Sequence, residues 1–225
     1  MSAADWSALW VTLQLAALTT ALLLVVGTPL AWWLARTSSR AAVAVQPVVA
    51  LPLVLPPTVL GFYMLVALGP EGPIGGALAA LGGHHLAFTF EGLVIASMLY
   101  SLPFMVQPLE DAFSSVASGL TEAAATLRAG PWDVFFTVVC PLARRGFVTA
   151  VTLTFAHTVG EFGVVLMVGG NIPGETRVLS IAIYDHAEAF DYAAAHTLAA
   201  GLLVTSFLLL VGVYAVNRRY QVMRL

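Results

Sequence analysis

Long apolar segments, separated by short polar ones, dominate the chain. A helix that crosses a bilayer needs about 20 predominantly apolar residues. The pattern predicts five transmembrane helices on this criterion. Their approximate bounds are Leu9–Ala35, Ala44–Leu68, Phe90–Met105 (or to Leu109), Phe147–Val168 and Ala193–Val216.

The composition supports the same class of protein. Of the 225 residues, 60% are hydrophobic and 9% are charged, whereas soluble domains carry roughly 25% charged residues. A water-soluble fold of this size could not bury so much apolar surface. We therefore predict an all-α integral membrane protein, formed as one transmembrane domain over residues 1–225.

Arginine placement predicts the orientation. All nine basic residues are Arg, and the predicted topology leaves only Arg177 on the outer side if the polar stretch at about 114–141 is cytoplasmic. Basic residues are enriched in cytoplasmic loops, so we expect the N-terminus outside and the C-terminus in the cytoplasm. The residues on the cytoplasmic side are then Arg36, Arg40, Arg128, Arg144, Arg145, Arg218, Arg219 and Arg224.

The absence of lysine excludes one kind of nucleotide site. A P-loop uses a Lys to reach the nucleotide phosphates, and this chain contains none. If the chain works in an ATP-driven system, ATP and Mg²⁺ are bound by a partner ATPase. We expect no catalytic residue, no metal site and no nucleic-acid partner in this chain.

The polar stretch SGLTEAAATLRAGPWDVFFTVVCP, at 118–141, predicts two short helices. Ala and Leu favour a helix over 121–127, Gly130 suits the end of that helix, and Pro131 suits the first turn of the next. A polar helix–turn–helix between membrane spans must face water, where another protein can bind it. The stretch resembles the EAA loop of ABC importer permeases, whose pattern is Glu-Ala-Ala, three residues, Gly, nine residues, Ile-x-Leu-Pro. Arg128 stands at the glycine position of that pattern.

In that family the loop binds a cytoplasmic ATPase. The resemblance therefore implies a coupling loop at about 114–141. Its assigned residues are Glu122, Ala123, Ala124, Leu127, Arg128, Gly130 and Pro141.

Prolines interrupt the second predicted span, and a carboxylate lies in the fourth. Pro56 and Pro57 remove backbone donors and kink a helix, which either adjusts packing or lines a gate. Glu161, in the sequence HTVGEFG, is costly at membrane depth and is a functional candidate for that reason. His157 precedes it by one helical turn, so the spacing predicts a hydrogen bond or ion pair between the two.

The two alternatives for this pair are a proton relay and a structural or gating contact. Direct binding of an anion is disfavoured, because a carboxylate repels it. Glycines on both sides of Glu161 would allow close helix approach. The pathway or gate candidates are Pro56, Pro57, His157, Gly160, Glu161 and Gly163.

Four motifs occur in the order and spacing of molybdate ABC importer permeases. They are the segment Leu51–Gly75, the EAA-like loop, GEFG at 160–163 and NIPGETR at 171–177. The resemblance implies the type I ABC importer permease fold in a bacterial inner membrane. It further implies a homodimer, two cytoplasmic ATPase subunits and an extracytoplasmic binding protein that delivers the oxyanion. The substrate of that family is molybdate, and whether tungstate is carried as well stays open. Many members have Arg at the position of His157, so a role of that residue does not transfer.

Three other functions remain open at this point. The permease could carry sulfate or another oxyanion. The chain could be a proton-coupled secondary transporter that uses Glu161 and His157, although such proteins usually contain inverted repeats, which are not evident here. It could also be a membrane scaffold that docks a partner through its cytoplasmic loop. The segment 169–192 is predicted to be a polar loop on the outer side.

Overall fold

The computed structural model describes the backbone of residues 1–222 and the side chains of residues 1–215. Arg224 and the side chains of Arg218 and Arg219, which entered the orientation argument, lie outside the described part. The described backbone is helical and contains no strand. The helices are α1 (Ala3–Arg36), α2 (Arg40–Ala50), α3 (Pro57–Leu68), α4 (Pro73–Ala80), α5 (Phe90–Ser114), α6 (Ser118–Thr126), α7 (Pro131–Val134), α8 (Cys140–Val159), α9 (Gly163–Gly169), α10 (Leu179–Glu188) and α11 (Tyr192–Val222).

Four helical segments of the described chain are long and apolar enough to cross a membrane: Ala3–Arg36, Phe90–Ser114, Pro131–Val159 and Tyr192–Ala215. They confirm four of the predicted spans, with changed bounds. Phe90–Ser114 runs well beyond the predicted end, because the internal Pro103 and Pro108 do not terminate it. A fifth span exists if the bent pair Arg40–Leu53 and Pro57–Ala80 crosses as one unit.

The second predicted span is a broken element. α2 is followed by a 3₁₀ turn at Leu51–Leu53, and α3 begins only at Pro57. The two arms meet at 110°, so the bend expected at Pro56 and Pro57 is confirmed, but the span is broken there rather than continuing as one kinked helix. Pro56 has an extended backbone, with ψ at 135°, as expected for a residue that precedes proline.

The fourth predicted span ends earlier than expected. α8 stops at Val159, and α9 begins at Gly163 after a break at residues 160–162. The prediction of an unbroken helix to Val168 was therefore wrong. A contact from another helix stabilises the break, because the Ser180 hydroxyl donates a hydrogen bond to the backbone oxygen of Glu161 at 2.5 Å.

α10 occupies part of the segment that was predicted to be a loop. Its first residue is held by α1, since the Leu179 N–H donates to the Thr12 hydroxyl at 2.7 Å. His186 Nε2 lies 3.0 Å from the buried Asp5 at the start of α1. These tertiary contacts stabilise a helix at 179–188 that its short, polar-flanked sequence did not indicate.

Candidate functional site

The coupling loop folds as the two predicted helices, α6 and α7. No residue of α6 is buried. Leu127 is 83% exposed and Trp132 is 76% exposed. Trp132 stacks on Phe136, with ring centroids 6.2 Å apart. The loop thus presents large apolar side chains rather than the polar surface typical of a solvated turn.

Arg128 occupies a backbone position that explains the glycine of the EAA pattern. Its φ is +62°, in the left-handed region that favours glycine. The Arg128 N–H donates to Ala125 at 3.0 Å, and the Ala129 N–H donates to Ala124 at 3.2 Å. These two bonds form a Schellman motif, in which the residue after the helix cap is usually glycine. This chain keeps the motif with an arginine.

The other assigned loop residues lie on the same surface or just beneath it. Glu122, Ala123 and Gly130 are exposed, and Ala124 is half-buried. Ala124 packs against the core beneath the loop. Pro141 is exposed at the start of α8.

An aromatic cluster connects the loop to the membrane spans. Arg36 at the end of α1 contacts the Thr121 hydroxyl at 3.5 Å, and its guanidinium lies 4.5 Å from the Trp32 ring centroid. Trp32 in turn makes edge contacts with Phe113 at 5.3 Å and Phe135 at 5.4 Å. The contacts therefore connect α6 with α1, α5 and the segment that enters α8.

A π-helical turn at Phe135–Val139, which the sequence did not predict, joins α7 to α8. Pro141 has no N–H for the Thr137 carbonyl, so the regular helical bond cannot form there. The Cys140 N–H donates to the Phe135 carbonyl, five residues earlier, rather than to that of Phe136. Single π turns inside helices occur frequently at functional sites.

The broken spans enclose a second region of interest, a cavity of about 550 Å³. It lies where α3 and α9 both begin. Tyr100, Thr58 and Phe162 contribute to its wall. The predicted pathway residues that line it are Pro57, His157, Gly160, Glu161 and Gly163. Pro56 caps α3 but is not part of the wall.

His157 and Glu161 do not form the predicted pair. His157 Nδ1 lies 2.9 Å from the Ser101 hydroxyl, and its ring stacks on Phe104 with centroids 4.0 Å apart. The prediction assumed helical spacing, but α8 ends between the two residues. The His157 side chain therefore contacts Ser101 and Phe104 rather than Glu161.

Glu161 is buried without a partner. The residue is 3% exposed, and neither carboxyl oxygen has a hydrogen-bond partner among the described residues. The Ser97 hydroxyl is close enough to interact with the carboxyl group, but it does not meet it in regular hydrogen-bond geometry. A buried carboxyl group without a hydrogen bond is rare in proteins, and it is the most unusual feature of the cavity wall.

Two glycines allow α3 and α9 to touch. A Cβ added to Gly163 would lie 2.8 Å from Cβ of Pro57, and one added to Gly61 would lie 2.8 Å from Cβ of Met167. Gly163 was predicted to permit close approach, and the structure shows it contacting Pro57. Gly61 and Met167 were missed; the only sequence signal was a small residue within an apolar helix.

These features define the chain as a polytopic helical membrane protein with an exposed pair of short helices, α6 and α7, between two spans. The model of the family described as "Binding-protein-dependent transport system inner membrane component" matches residues 27–222. The chain belongs to this family, and it is a multi-pass protein of the bacterial inner membrane. It is a transport subunit rather than an enzyme.

Relatives named as molybdenum permeases match nearly the whole chain. The molybdenum transport system permease protein ModB of Azotobacter vinelandii is 62% identical over 221 residues, covering 98% of this chain and 97% of that protein. The protein of the same name from Escherichia coli K12 is 39% identical and covers 80% of this chain and 79% of its own. A probable sulfate permease, cysT of Nephroselmis olivacea, is 33% identical over 95% of this chain and 76% of that protein.

Solved structures share the fold. A bacterial ABC transporter involved in the import of alginate aligns with a TM-score of 0.80 at 19% identity, covering 97% of this chain and 80% of that one. The MetNI methionine ABC transporter aligns with a TM-score of 0.70 at 20% identity, covering 97% and 99%. The predicted type I ABC importer permease fold is confirmed.

Proposed function

We propose that this chain is the membrane-spanning subunit of an ATP-driven importer of molybdate. The observation that carries the proposal is its 62% identity, over nearly the full length of both chains, to a permease named for molybdenum transport. The ABC importer permease fold supports the mechanism. ATP would be hydrolysed by a separate subunit, and this chain would provide the path through the membrane.

Uptake of labelled molybdate by cells that lack their own transporter tests the proposal. The cells should express this chain together with its neighbouring ATPase and binding-protein genes. We expect uptake that requires the ATPase and is blocked by unlabelled tungstate but not by sulfate. Absence of uptake with the complex correctly inserted would contradict the proposal.

Sulfate is the second candidate substrate, because a probable sulfate permease matches most of the chain. Sulfate and molybdate are both tetrahedral dianions, and no Lys or Arg lines the cavity to separate them. Competition by sulfate as strong as that by tungstate would keep the mechanism and change the substrate. The proton-coupled secondary transporter is not favoured by the relatives.

We propose further that the ATPase binds the surface formed by α6 and α7. The exposed Leu127 and Trp132 are the kind of large apolar side chains that anchor protein interfaces. Glu122 lies on the exposed part of α6, so Glu122→Arg should weaken binding by reversing a charge. Unchanged co-purification of the ATPase with this variant would count against the assigned surface.

The contacts of the loop supply a route for motion into the spans. Closure of the ATPases on ATP would displace α6, and the aromatic cluster of Trp32, Phe113 and Phe135 would transmit the displacement. The π turn before α8 lies on this route, and single π turns inside helices occur frequently at functional sites. Rigid-body movement of packed helices between two arrangements is the kind of transition that alternating access requires.

A homodimer would complete the pathway. The wall of the cavity includes the exposed Thr58 and Gly160, so a second copy could close it. An extracytoplasmic binding protein would deliver the oxyanion to the opposite side from the ATPase. Two differently tagged copies of the chain should co-purify from the membrane, and failure of either tag to capture the other would contradict the homodimer.

A further inference from the structure

The Glu161 carboxyl group has no role in the docking surface and lacks the partner that the sequence predicted. It is 3% exposed. Both of its oxygens are inaccessible and without hydrogen-bond partners among the described residues. An ionised carboxylate in such a place needs a cation, hydrogen-bond donors or water. The described residues place no cation and no hydrogen-bond donor in regular geometry at either oxygen.

The groups that face Glu161 are neutral hydroxyl, aromatic or apolar groups, together with one histidine. α5 contributes Ser97 and Tyr100, and α8 contributes His157, whose Nδ1 is taken by Ser101. α10 contributes Ser180, which bonds only the backbone oxygen of Glu161. α3 contributes Pro57 and Thr58, which line the cavity. Tyr100 and His157 are thus the titratable side chains around the cavity beside Glu161.

The position of Glu161 also allows its environment to change. It lies in the break between α8 and α9, where Gly160 ends one helix and Gly163 begins the next. It forms part of the wall of the 550 Å³ cavity, although its oxygens are sealed from it. A small rearrangement of residues 160–162 would expose the carboxyl group to water in that cavity.

We propose that Glu161 is a proton-binding site, which holds a proton in the conformation described here and releases it when the break opens to the cavity. The bond that breaks on opening is the carboxyl O–H, and water in the cavity accepts the proton. The protonated form belongs to the sealed conformation and the ionised form to the open one. Falling pH therefore favours the sealed conformation, and rising pH favours the open one, by up to about tenfold per pH unit for one proton.

The first test does not depend on transport. The full chain is placed in lipid vesicles, and infrared spectra of the wild type and Glu161→Gln are compared at neutral pH. We expect a carbonyl band of a protonated carboxylic acid that is absent from the variant. Glu71→Gln, which removes an exposed carboxyl group, is the matched control and should leave the band in place. If the acid band is absent from the wild type, or if it persists unchanged in Glu161→Gln, the proposal is overturned.

Ser97→Ala provides a second measurement in case Glu161→Gln does not fold. Because the Ser97 hydroxyl lies beside the carboxyl group, its removal should shift the frequency of the acid band without abolishing it. Ser115→Ala, at an exposed serine at the end of α5, should not shift it. Identical spectra for Ser97→Ala and Ser115→Ala would show that the band arises elsewhere.

The second test concerns proton release, and it rests on the proposed ATP-driven cycle. The assembled transporter in weakly buffered vesicles is given a non-hydrolysable ATP analogue, with a pH indicator present. We expect the wild type to release more protons than Glu161→Gln, by about one per copy of this chain. Equal release, with the analogue shown to bind, would overturn the link to opening. Failure of the analogue to bind while the acid band persists would count against the proposed function and not against the site.

Discussion

The coupling loop and the break around Glu161 both contain side chains without the surroundings they favour, but the two cases are opposite. The loop leaves the large apolar side chains of Leu127 and Trp132 exposed. The break buries a carboxyl group that finds no partner. Exposed apolar surface is tolerated in a single chain and becomes favourable when a partner covers it. An unpaired buried charge is not tolerated, and the group becomes neutral instead.

This difference shows what kind of partner each region needs. Under the proposed function the loop binds another protein, and its fold can form in advance because local bonds hold α6 and α7. The break needs only a proton, but its shape depends on α3, α5 and α10. Mutations in the loop should therefore affect assembly, whereas mutations around the break should affect stability and the conformational equilibrium.

The largest effect is expected for Trp132→Ala. If this side chain anchors the ATPase, its removal should weaken binding by about 2 to 4 kcal/mol, which is roughly 30-fold or more in Kd. Binding of purified ATPase to the chain in lipid discs would measure it. Trp10→Ala is the control, because Trp10 is 63% exposed but lies far along α1 from the loop. An equal loss of ATPase affinity in Trp132→Ala and Trp10→Ala would show that the loop is not the specific binding surface.

A smaller effect, and on stability, is expected for Gly163→Ala. The new Cβ would lie 2.8 Å from a proline Cβ, and a rigid ring cannot move aside as a flexible side chain would. Overpacking of this kind costs about 1 to 3 kcal/mol. Thermal unfolding in detergent would detect it as a lower Tm.

Gly201→Ala is the matched control, because nothing lies within 4 Å of a Cβ at Gly201. Alanine is the better helix former, so this variant should leave Tm unchanged or raise it. A Gly163→Ala protein as stable as the wild type would mean that α3 and α9 are not locked together. ATPase binding should be unchanged in both variants.

The smallest effect is expected for Arg128→Gly, and it should be stabilising. A left-handed backbone costs a residue with a Cβ roughly 1 kcal/mol, which glycine does not incur. Amide hydrogen exchange in α6 should slow by a few fold. Ala125→Gly, in the interior of the same helix, should accelerate exchange, because glycine there lowers helix stability. Faster exchange in Arg128→Gly would contradict the Schellman assignment.

Local chemistry made the loop predictable. Pro131 begins α7 as expected from its backbone preference,. Gly130, which was predicted to end α6, is instead the N-cap of α7 with φ at -70°, and Arg128 takes the left-handed position after α6. The EAA pattern also pointed to position 128, where glycine was expected, although only the structure showed that the reason is a left-handed φ. The π turn was missed, since its only sequence signal is a proline that also suits an ordinary first turn.

The sequence by itself determined the class of protein, the approximate positions of four apolar helices and the two short helices of the loop. These follow from hydrophobic length and from the preferences of residues for their own neighbours along the chain. Only the tertiary structure decided where the second and fourth spans break and that α10 is helical. It also decided that the side chains of His157 and Glu161 do not pair. Those outcomes depend on contacts between distant residues, such as Ser180 with the Glu161 backbone and Ser101 with His157. Prediction from the spacing of residues assumes a continuous helix. It fails where packing against other helices stabilises an interruption of that helix.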